Sequence, residues 1–167
     1  MNEKENRIFS VFLSIGSNLG NKEKNIETAY INIEKQIGEI KSSSAFFYSS
    51  PEGFVSENDF VNSACEVVTD MNVNDVFAAT QRIEKEMGRI GKSVGGLHSD
   101  RIIDIDILMI DNLIIESPEL TIPHPRFHKR NFVLTPLCEI APEVIHPVLN
   151  KSIQELKDIE YGTFRKK

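Results

Sequence analysis

A short alternation of isoleucine and aspartate constrains the fold of this chain more than any other stretch. Ile103, Ile105 and Ile107 alternate with Asp104 and Asp106, which is the period of a half-buried β-strand. The two carboxylates therefore share one face, about 7 Å apart along the strand. Because aspartate is rare in strands, the pair is either part of a solvated outer face or a binding site for a hard divalent cation such as magnesium.

The composition of the chain limits the classes of partner that it can bind. Its 167 residues fit one domain, residues 1–167, with frayed tails at 1–7 and 160–167. The formal net charge of -6 argues against nucleic acid, because affinity for a phosphate backbone comes from excess positive charge. No signal peptide or membrane span is visible, and Cys65 and Cys138 match no zinc or redox spacing. We therefore expect a cytoplasmic protein without nucleic-acid or membrane partners.

The order of the remaining patterns predicts an α+β fold. Strand patterns cover Ile8–Ile15, Glu39–Ser50 and Asp59–Thr69, and helical patterns cover Lys22–Ile37, Val73–Met87 and Ser152–Ile159. Together with the aspartate strand, this order matches a ferredoxin-like split βαβ sandwich, a mainly antiparallel sheet with helices on one face and an added hairpin. No element is predicted for the apolar stretch 132–137.

The segment after the aspartate strand is predicted to turn back and then to run irregularly. Asp111 and Asn112 are turn residues, so the chain is expected to form a hairpin with the aspartate strand. The prolines between Pro118 and Pro125 argue against any regular element across residues 121–127.

Two other segments have both a ligand-binding and a structural interpretation. Phe60 and Asn62 share one strand face, which suits a flat heterocycle but equally suits a packed ring beside a surface amide. Gly16, Ser17 and Asn18 could hold a ligand with backbone amides or could form a turn and helix cap. They do not form a P-loop, because no Gly-Lys-Ser/Thr follows.

Residues 89–100 are rich in glycine and lack periodicity, which predicts a mobile lid between a helix and the aspartate strand. Arg89, Lys92 and Arg101 bring three cations to this lid, beside two acids. That mixture suits a metal-bound polyphosphate.

Three polar residues elsewhere have two possible roles each. His124 lies between prolines and precedes a basic cluster, so it is either a phosphate contact or a structural histidine. Gln81 and Glu84 lie together off the apolar stripe of their helix. They are predicted to be solvated unless the end of this helix faces a site.

Five short motifs, taken in order, carry a resemblance to a known family. They are Gly16–Gly20, Asp59–Asn62, Gln81–Glu84 with Gly88–Arg89, Arg101–Leu108, and Pro123–Arg126 with Phe132–Leu134. From about residue 9 to residue 147 the chain resembles the 6-hydroxymethyl-7,8-dihydropterin pyrophosphokinases of folate synthesis. The resemblance implies transfer of the β,γ-diphosphate of ATP to the hydroxymethyl oxygen of the pterin, which releases AMP.

The resemblance also implies roles for individual residues. The catalytic group would be Arg89, Arg101, Asp104 and Asp106, with both aspartates binding two Mg²⁺ ions. ATP would be held by Gln81, Glu84, Ile107, Thr121, His124 and Arg130. The pterin would be bound by Ser50, Gly53, Phe60, Asn62 and Phe132, with the two phenylalanines on either side of the ring. These two small molecules are the expected partners of a monomeric protein.

The chain departs from the family pattern at several positions around the predicted lid. Gly91 stands where many members have a second lid arginine, and Asp100 stands where a proline is common. The chain has no tryptophan, although many members have one in the lid. Phe60 replaces a frequent tyrosine. No dedicated base is evident, and Asp104 is our hypothesis for the acceptor of the hydroxymethyl proton.

Two other function classes fit some of these features. A non-catalytic ferredoxin-like module would bind nucleotide without turning it over. A two-metal phosphohydrolase would use the same aspartate pair to release phosphate to water. The aromatic and amide side chains of Phe60, Asn62 and Phe132 favour an organic acceptor over water.

Overall fold

A five-stranded antiparallel sheet is the centre of the structure, a computed structural model that describes residues 7–51, 56–89 and 100–161. The strands are β1 (Phe9–Ser17), β2 (Glu39–Ser43), β3 (Phe47–Ser49), β4 (Phe60–Thr69) and β5 (Asp104–Ile110). Their order is β2-β4-β1-β5, and β3 also pairs with β4. Every pairing in this sheet is antiparallel, which confirms the prediction of a mainly antiparallel sheet.

Two amphipathic helices cover one face of the sheet, as the sequence predicts. They are α1 (Lys22–Gln36) and α2 (Val73–Glu86). Asn21 caps α1 by accepting from Lys24 N, and Asn72 caps α2 by accepting from Asp75 N. The apolar stripes of both helices pack on inward-facing residues of β1, β4 and β5 to form the larger of two core clusters.

A second helix pair packs on the opposite face, so the prediction of helices on one face is wrong. The helices are α3 (Asn131–Ile140) and α4 (Ile153–Tyr161). They contact Phe12, Ala64, Leu108 and Met109 in a separate core cluster. A bulge in the β1–β5 pairing allows this, because the register shift between Phe12 and Leu13 places Leu108 and Met109 in the same cluster.

Helix α3 lies in the apolar stretch for which the sequence predicted no element. Pro136 is inside this helix and cannot donate a backbone hydrogen bond. Val133, Leu134, Leu137 and Cys138 are nevertheless buried together against the sheet. Tertiary packing therefore outweighs the local cost of the proline.

The predicted strand Glu39–Ser50 is interrupted at residues 44–46, which separates β2 from β3. The hydroxyl of Ser44 accepts from Ala64 N at 2.9 Å. Ala45 N donates to the Glu139 carboxylate at 3.1 Å instead of to a neighbouring strand. Ser44 N still donates to Ala64 O at 2.8 Å, so side-chain hydrogen bonds supplement the backbone pairing with β4 here.

The predicted hairpin with the aspartate strand is also wrong. After the turn at Asp111, β6 (Ile115–Glu116) pairs with β7 (Thr121–Ile122) in a separate two-stranded sheet. The regular pairing at 121–122 was not expected from the nearby prolines. The chain then returns beside β5, where His124 N donates to Leu108 O at 2.9 Å. Across the described ranges, no helix has the length and apolar character needed to cross a membrane.

Candidate active site

The candidate site lies on the α3/α4 face of the sheet, beyond the apolar cluster of those helices. Gly16 in β1 is paired with Asn62 in β4 on one side and with Asp104 in β5 on the other. Two residues further along, Ser14 is paired with Asp106. Because residues in register and residues two apart share a face, Asn62, Asp104 and Asp106 project to the same side. The sequence predicted this shared face for the two aspartates.

Asn62, Gly16 and Asp104 form a row across β4, β1 and β5. Gly16 leaves the middle of this row without a side chain. A Cβ atom at residue 16 would lie 3.2 Å from Asn62 Oδ1 and 3.6 Å from the Phe60 ring. Asn62 is itself fixed, because its Nδ2 donates to Phe47 O at 3.1 Å and to Ser49 Oγ at 2.8 Å. Within the described residues Asn62 Oδ1 accepts no hydrogen bond. This oxygen can therefore accept from a ligand.

Asp104 is held between two arginines. Arg89 Nη1 donates to Asp104 Oδ1 at 2.6 Å, and Arg101 Nη1 donates to Asp104 Oδ2 at 3.1 Å. Arg89 Nη1 also lies 3.2 Å from Glu84 Oε2. Burial alone would lower the pKa of Arg89, but the negative charges of Asp104, Glu84 and Asp106 more than offset this and raise it. The guanidinium of Arg89 therefore stays charged.

One donor of Arg89 has no acceptor in the described part of the chain. Its Nε is buried without a hydrogen-bond partner. A buried, unpaired polar group costs about 1–3 kcal/mol, so an oxygen acceptor supplied to this donor would be stabilising. A phosphate oxygen has the charge and geometry that a guanidinium binds best.

Glu84 is not solvated, because the end of α2 faces the aspartate strand. Its side chain is 4% exposed, and Oε1 accepts from Ile105 N at 2.8 Å. The Glu84 carboxylate thus links the edge of β5, through Ile105 N, to the Arg89 guanidinium. Gln81 is exposed, as predicted for both residues.

A cavity of about 230 Å³ opens beside Asp106, between α2, β5 and the segment around β7. It is lined by three of the residues expected to hold ATP, Ile107, Thr121 and His124. Thr80 and Phe77 of α2 form the facing wall. Gln81, Glu84 and Arg130, which were also expected to hold ATP, are not among its lining residues.

His124 is held in one neutral tautomer. Burial lowers its pKa to about 4, with a further contribution from the charge of Arg130. Its Nδ1 accepts from Arg126 N at 3.2 Å, so the remaining ring proton is on Nε2. His124 therefore offers one N–H donor at the cavity without adding a charge.

Each of the two predicted pterin-binding phenylalanines has an arginine over its ring. The guanidinium carbon of Arg101 is 5.7 Å from the ring centre of Phe60, and that of Arg130 is 5.8 Å from Phe132. Both distances lie within the range of cation–π contacts. Ser50 is exposed directly after β3. Gly53 lies outside the described residues, as do Gly91 and Lys92 of the predicted lid.

Of the two interpretations of the Gly16–Asn18 segment, the helix cap does not apply to Asn18. Asn21, not Asn18, caps α1. Asn18 is buried, and its side chain bonds with Asn58, Asp100 and Arg101. An asparagine in a Gly-Ser-Asn turn has no periodicity that would have revealed these long-range partners.

Comparison with known proteins places the chain in a family. A model of the family described as 7,8-dihydro-6-hydroxymethylpterin-pyrophosphokinase (HPPK) matches residues 12–142. The chain is 39% identical over 138 residues to 2-amino-4-hydroxy-6-hydroxymethyldihydropteridine pyrophosphokinase of Porphyromonas gingivalis, and the match covers 82% of this chain and 93% of that protein. It is 42% identical over 147 residues to the folic acid synthesis protein FOL1 of Dictyostelium discoideum, covering 88% of this chain but 22% of that protein.

Solved structures share the fold at low sequence identity. A Plasmodium falciparum HPPK-DHPS triple mutant superposes with a TM-score of 0.78 and 18% identity. The match covers 98% of this chain and 45% of that one, so the present chain spans a little under half of the solved protein.

Proposed function

Because the chain belongs to the 7,8-dihydro-6-hydroxymethylpterin-pyrophosphokinase family, we propose that it transfers the β,γ-diphosphate of ATP to the hydroxymethyl group of 6-hydroxymethyl-7,8-dihydropterin. The products are AMP and the pterin diphosphate, an intermediate of folate synthesis. The observation that carries the proposal is the row Asn62, Gly16 and Asp104 across three strands. Its β4 end suits a flat heterocycle, and its β5 end suits a metal-bound polyphosphate.

Asp104 and Asp106 have the donor set that magnesium prefers. Both supply hard carboxylate oxygens from one strand face, and magnesium binds proteins through one or two carboxylates with phosphate oxygens and water completing its shell. We propose that these two residues hold two magnesium ions together with ATP. The bound ions would neutralise charge on the triphosphate and on the group being transferred.

Arg89 and Arg101 would exchange acceptors when ATP arrives. Without ligand, both arginines donate to Asp104. Phosphate oxygens offer more charge and a bidentate geometry, and a shift of the Arg89 side chain would give its buried, unpaired Nε an acceptor. Once the arginines bind phosphate, the Asp104 oxygens are released, either for magnesium or to accept the hydroxymethyl proton. The transfer itself depends on such positioning and neutralisation more than on covalent catalysis.

The cavity beside Asp106 is the proposed site of the ATP nucleoside. Ile107 supplies an apolar wall, Thr121 a polar contact, and His124 Nε2 a neutral donor. In this proposal Glu84 supports the ATP site without touching ATP. Its carboxylate accepts a hydrogen bond from Ile105 N and pairs with the Arg89 guanidinium. Direct ATP contacts of the exposed Gln81 and of Arg130 remain part of the proposal.

The pterin would lie at the β4 end of the row. Phe60 and Phe132 are the proposed faces of a sandwich around its ring. Asn62 Oδ1 would accept from the amino edge of the pterin, because Asn62 Nδ2 already donates to Phe47 O and Ser49 Oγ. The backbone near Ser50 and Gly53 would complete the hydrogen bonds to that edge.

Three broader expectations are also part of this proposal. The strand order β2-β4-β1-β5, with α1 and α2 on one face, supports a ferredoxin-like core to which α3 and α4 are added. Cys65 and Cys138 are buried free thiols, which supports a reducing, cytoplasmic location. We further propose a monomer, which light scattering during size-exclusion chromatography would test.

The decisive experiment measures AMP release from ATP with magnesium, with and without 6-hydroxymethyl-7,8-dihydropterin. AMP should appear only when magnesium and pterin are both present, in equal amount to the pterin diphosphate. Nucleotide binding without AMP release would indicate a non-catalytic module. Phosphate release in the absence of pterin would indicate a hydrolase, and either result would refute the proposed transfer.

A further inference from the structure

Three segments that are distant in sequence meet at the carboxylate of Asp100. Asn18 Nδ2 donates to Asp100 Oδ1 at 2.7 Å, and Asn58 Nδ2 donates to Asp100 Oδ2 at 3.0 Å. The Ser56 hydroxyl, which accepts from Asn58 N at 3.0 Å, is near enough to affect this carboxylate. Led by Ser56 and Asn58, these donors lower the pKa of Asp100, so it remains an ionised acceptor at neutral pH.

Asn18 also fixes the residue that follows Asp100. Its backbone N–H donates to Arg101 O at 3.1 Å, and its Oδ1 accepts from Arg101 N at 2.6 Å. Asn18 is 1% exposed, and its Nδ2 lies 3.3 Å from Asn58 O as well. The backbone of residues 100 and 101 is thereby tied to the end of β1 and to the segment that leads into β4.

Arg101 in turn contacts both halves of the proposed site. Its Nη1 donates to Asp104 on the phosphate side. Its guanidinium also stands over the ring of Phe60 on the pterin side. A small displacement of residue 101 would therefore change the contacts of both substrates.

We propose that Asp100 is a positioning residue for the diphosphate transfer: together with Asn18 and Asn58, it holds Arg101 between Asp104 and Phe60 before either substrate binds. This inference rests on the proposed function and adds Asp100 to the residues that support it. An ionised acceptor suits the role, because hydrogen bonds to a carboxylate are roughly twice as strong as those between neutral groups. A guanidinium that is already in place reduces the ordering cost of substrate binding.

The test substitutes Asp100→Asn, which keeps the shape of the side chain but sets an NH₂ group against one of the two amide donors. We expect the KM values for pterin and for ATP each to rise about tenfold, while kcat changes by less than about threefold. Asn58→Ala removes a donor from the other side and should raise both KM values in the same way. The matched control is Asp70→Asn, an exposed aspartate beyond the far end of β4, which should leave both unchanged.

A double-variant cycle separates positioning from general stabilisation. The Kd of the pterin is measured by calorimetry with a non-hydrolysable ATP analogue, and the Tm of each variant is recorded. If Asp100 acts through Arg101, Asp100→Asn should weaken pterin binding in the wild-type background but add almost nothing in an Arg101→Ala background.

Two results would overturn this role of Asp100. One is a lower Tm with unchanged KM and Kd. The other is an effect on Kd that adds in full to that of Arg101→Ala. Failure of the proposed function is distinguishable, since the wild-type protein itself would then release no AMP with pterin. Failure of the Asp100 role alone leaves wild-type AMP release intact and is seen only in the variants.

Discussion

Replacing Gly16 by alanine should weaken pterin binding with little change in stability. The new methyl carbon would lie 3.2 Å from Asn62 Oδ1, so the amide must move by a few tenths of an ångström. Asn62 cannot move without straining its bonds to Phe47 O and Ser49 Oγ. Losing the alignment of one hydrogen bond costs about 1 kcal/mol, which predicts a five- to tenfold rise in the pterin Kd.

The stability of the same variant should be close to that of the wild-type protein. Gly16 does not have a positive φ, so alanine fits its backbone and gains about 0.4–1 kcal/mol by restricting the unfolded chain. This gain offsets the cost of the contact with Asn62. Calorimetry with an ATP analogue measures the Kd, and thermal unfolding measures the Tm.

Gly38→Ala is the matched comparison for Gly16→Ala, with the opposite pattern. Its Cβ would lie 2.1 Å from Val68 O, a backbone atom, so this variant should lose stability while its folded fraction binds pterin normally. If Gly16→Ala bound pterin with wild-type affinity, the absence of a side chain at residue 16 would not matter for binding. The proposed role of the row Asn62, Gly16 and Asp104 would then be refuted.

Three other predictions concern the phosphate and nucleotide side. Asp106→Asn should reduce kcat/KM for ATP by at least about a hundredfold, because one of the two carboxylates proposed to hold magnesium loses its charge; a wild-type kcat/KM at limiting magnesium would argue against this role. His124 has a folded pKa of about 4, below its ordinary value, so the unfolded chain binds more protons and stability is lost as pH falls from about 6.5 to 4. His124→Gln should flatten the Tm profile in that window, and an unchanged profile would contradict the assignment. Glu84→Gln should lower stability by about 1–3 kcal/mol, since it removes a charge that faces Arg89; urea unfolding measures this, and Glu86→Gln on the exposed face of α2 is the control.

Local patterns predicted the features that depend on sequence period alone. The alternation around Ile105 correctly placed Asp104 and Asp106 on one face of a strand, because side-chain direction in a strand follows the period of two. The stripes of α1 and α2 were predicted for the same reason. The shared face of Phe60 and Asn62 is now seen beside Gly16, although their pterin contacts stay a prediction.

The features that were missed arise from pairing between distant segments. The bulge opposite Phe12 places Leu108 and Met109 in one cluster and gives α3 a surface to pack on, and no local pattern encodes it. Glu84 was predicted to be solvated because its helix face is polar. It is buried because Ile105 N needs an acceptor at that edge of the sheet.

The contacts along β5 have a consequence for the behaviour of the protein at high concentration. β5 is the last strand of the five-stranded sheet, and an apolar edge strand can pair with another molecule and start aggregation. Here Glu84 occupies the N–H of Ile105, and the N–H of His124 occupies the carbonyl of Leu108. Glu84 and His124 thus cover an isoleucine-rich edge, and His124 also lines the cavity beside Asp106. Variants that remove either contact should therefore be tested for self-association as well as for lost ATP affinity.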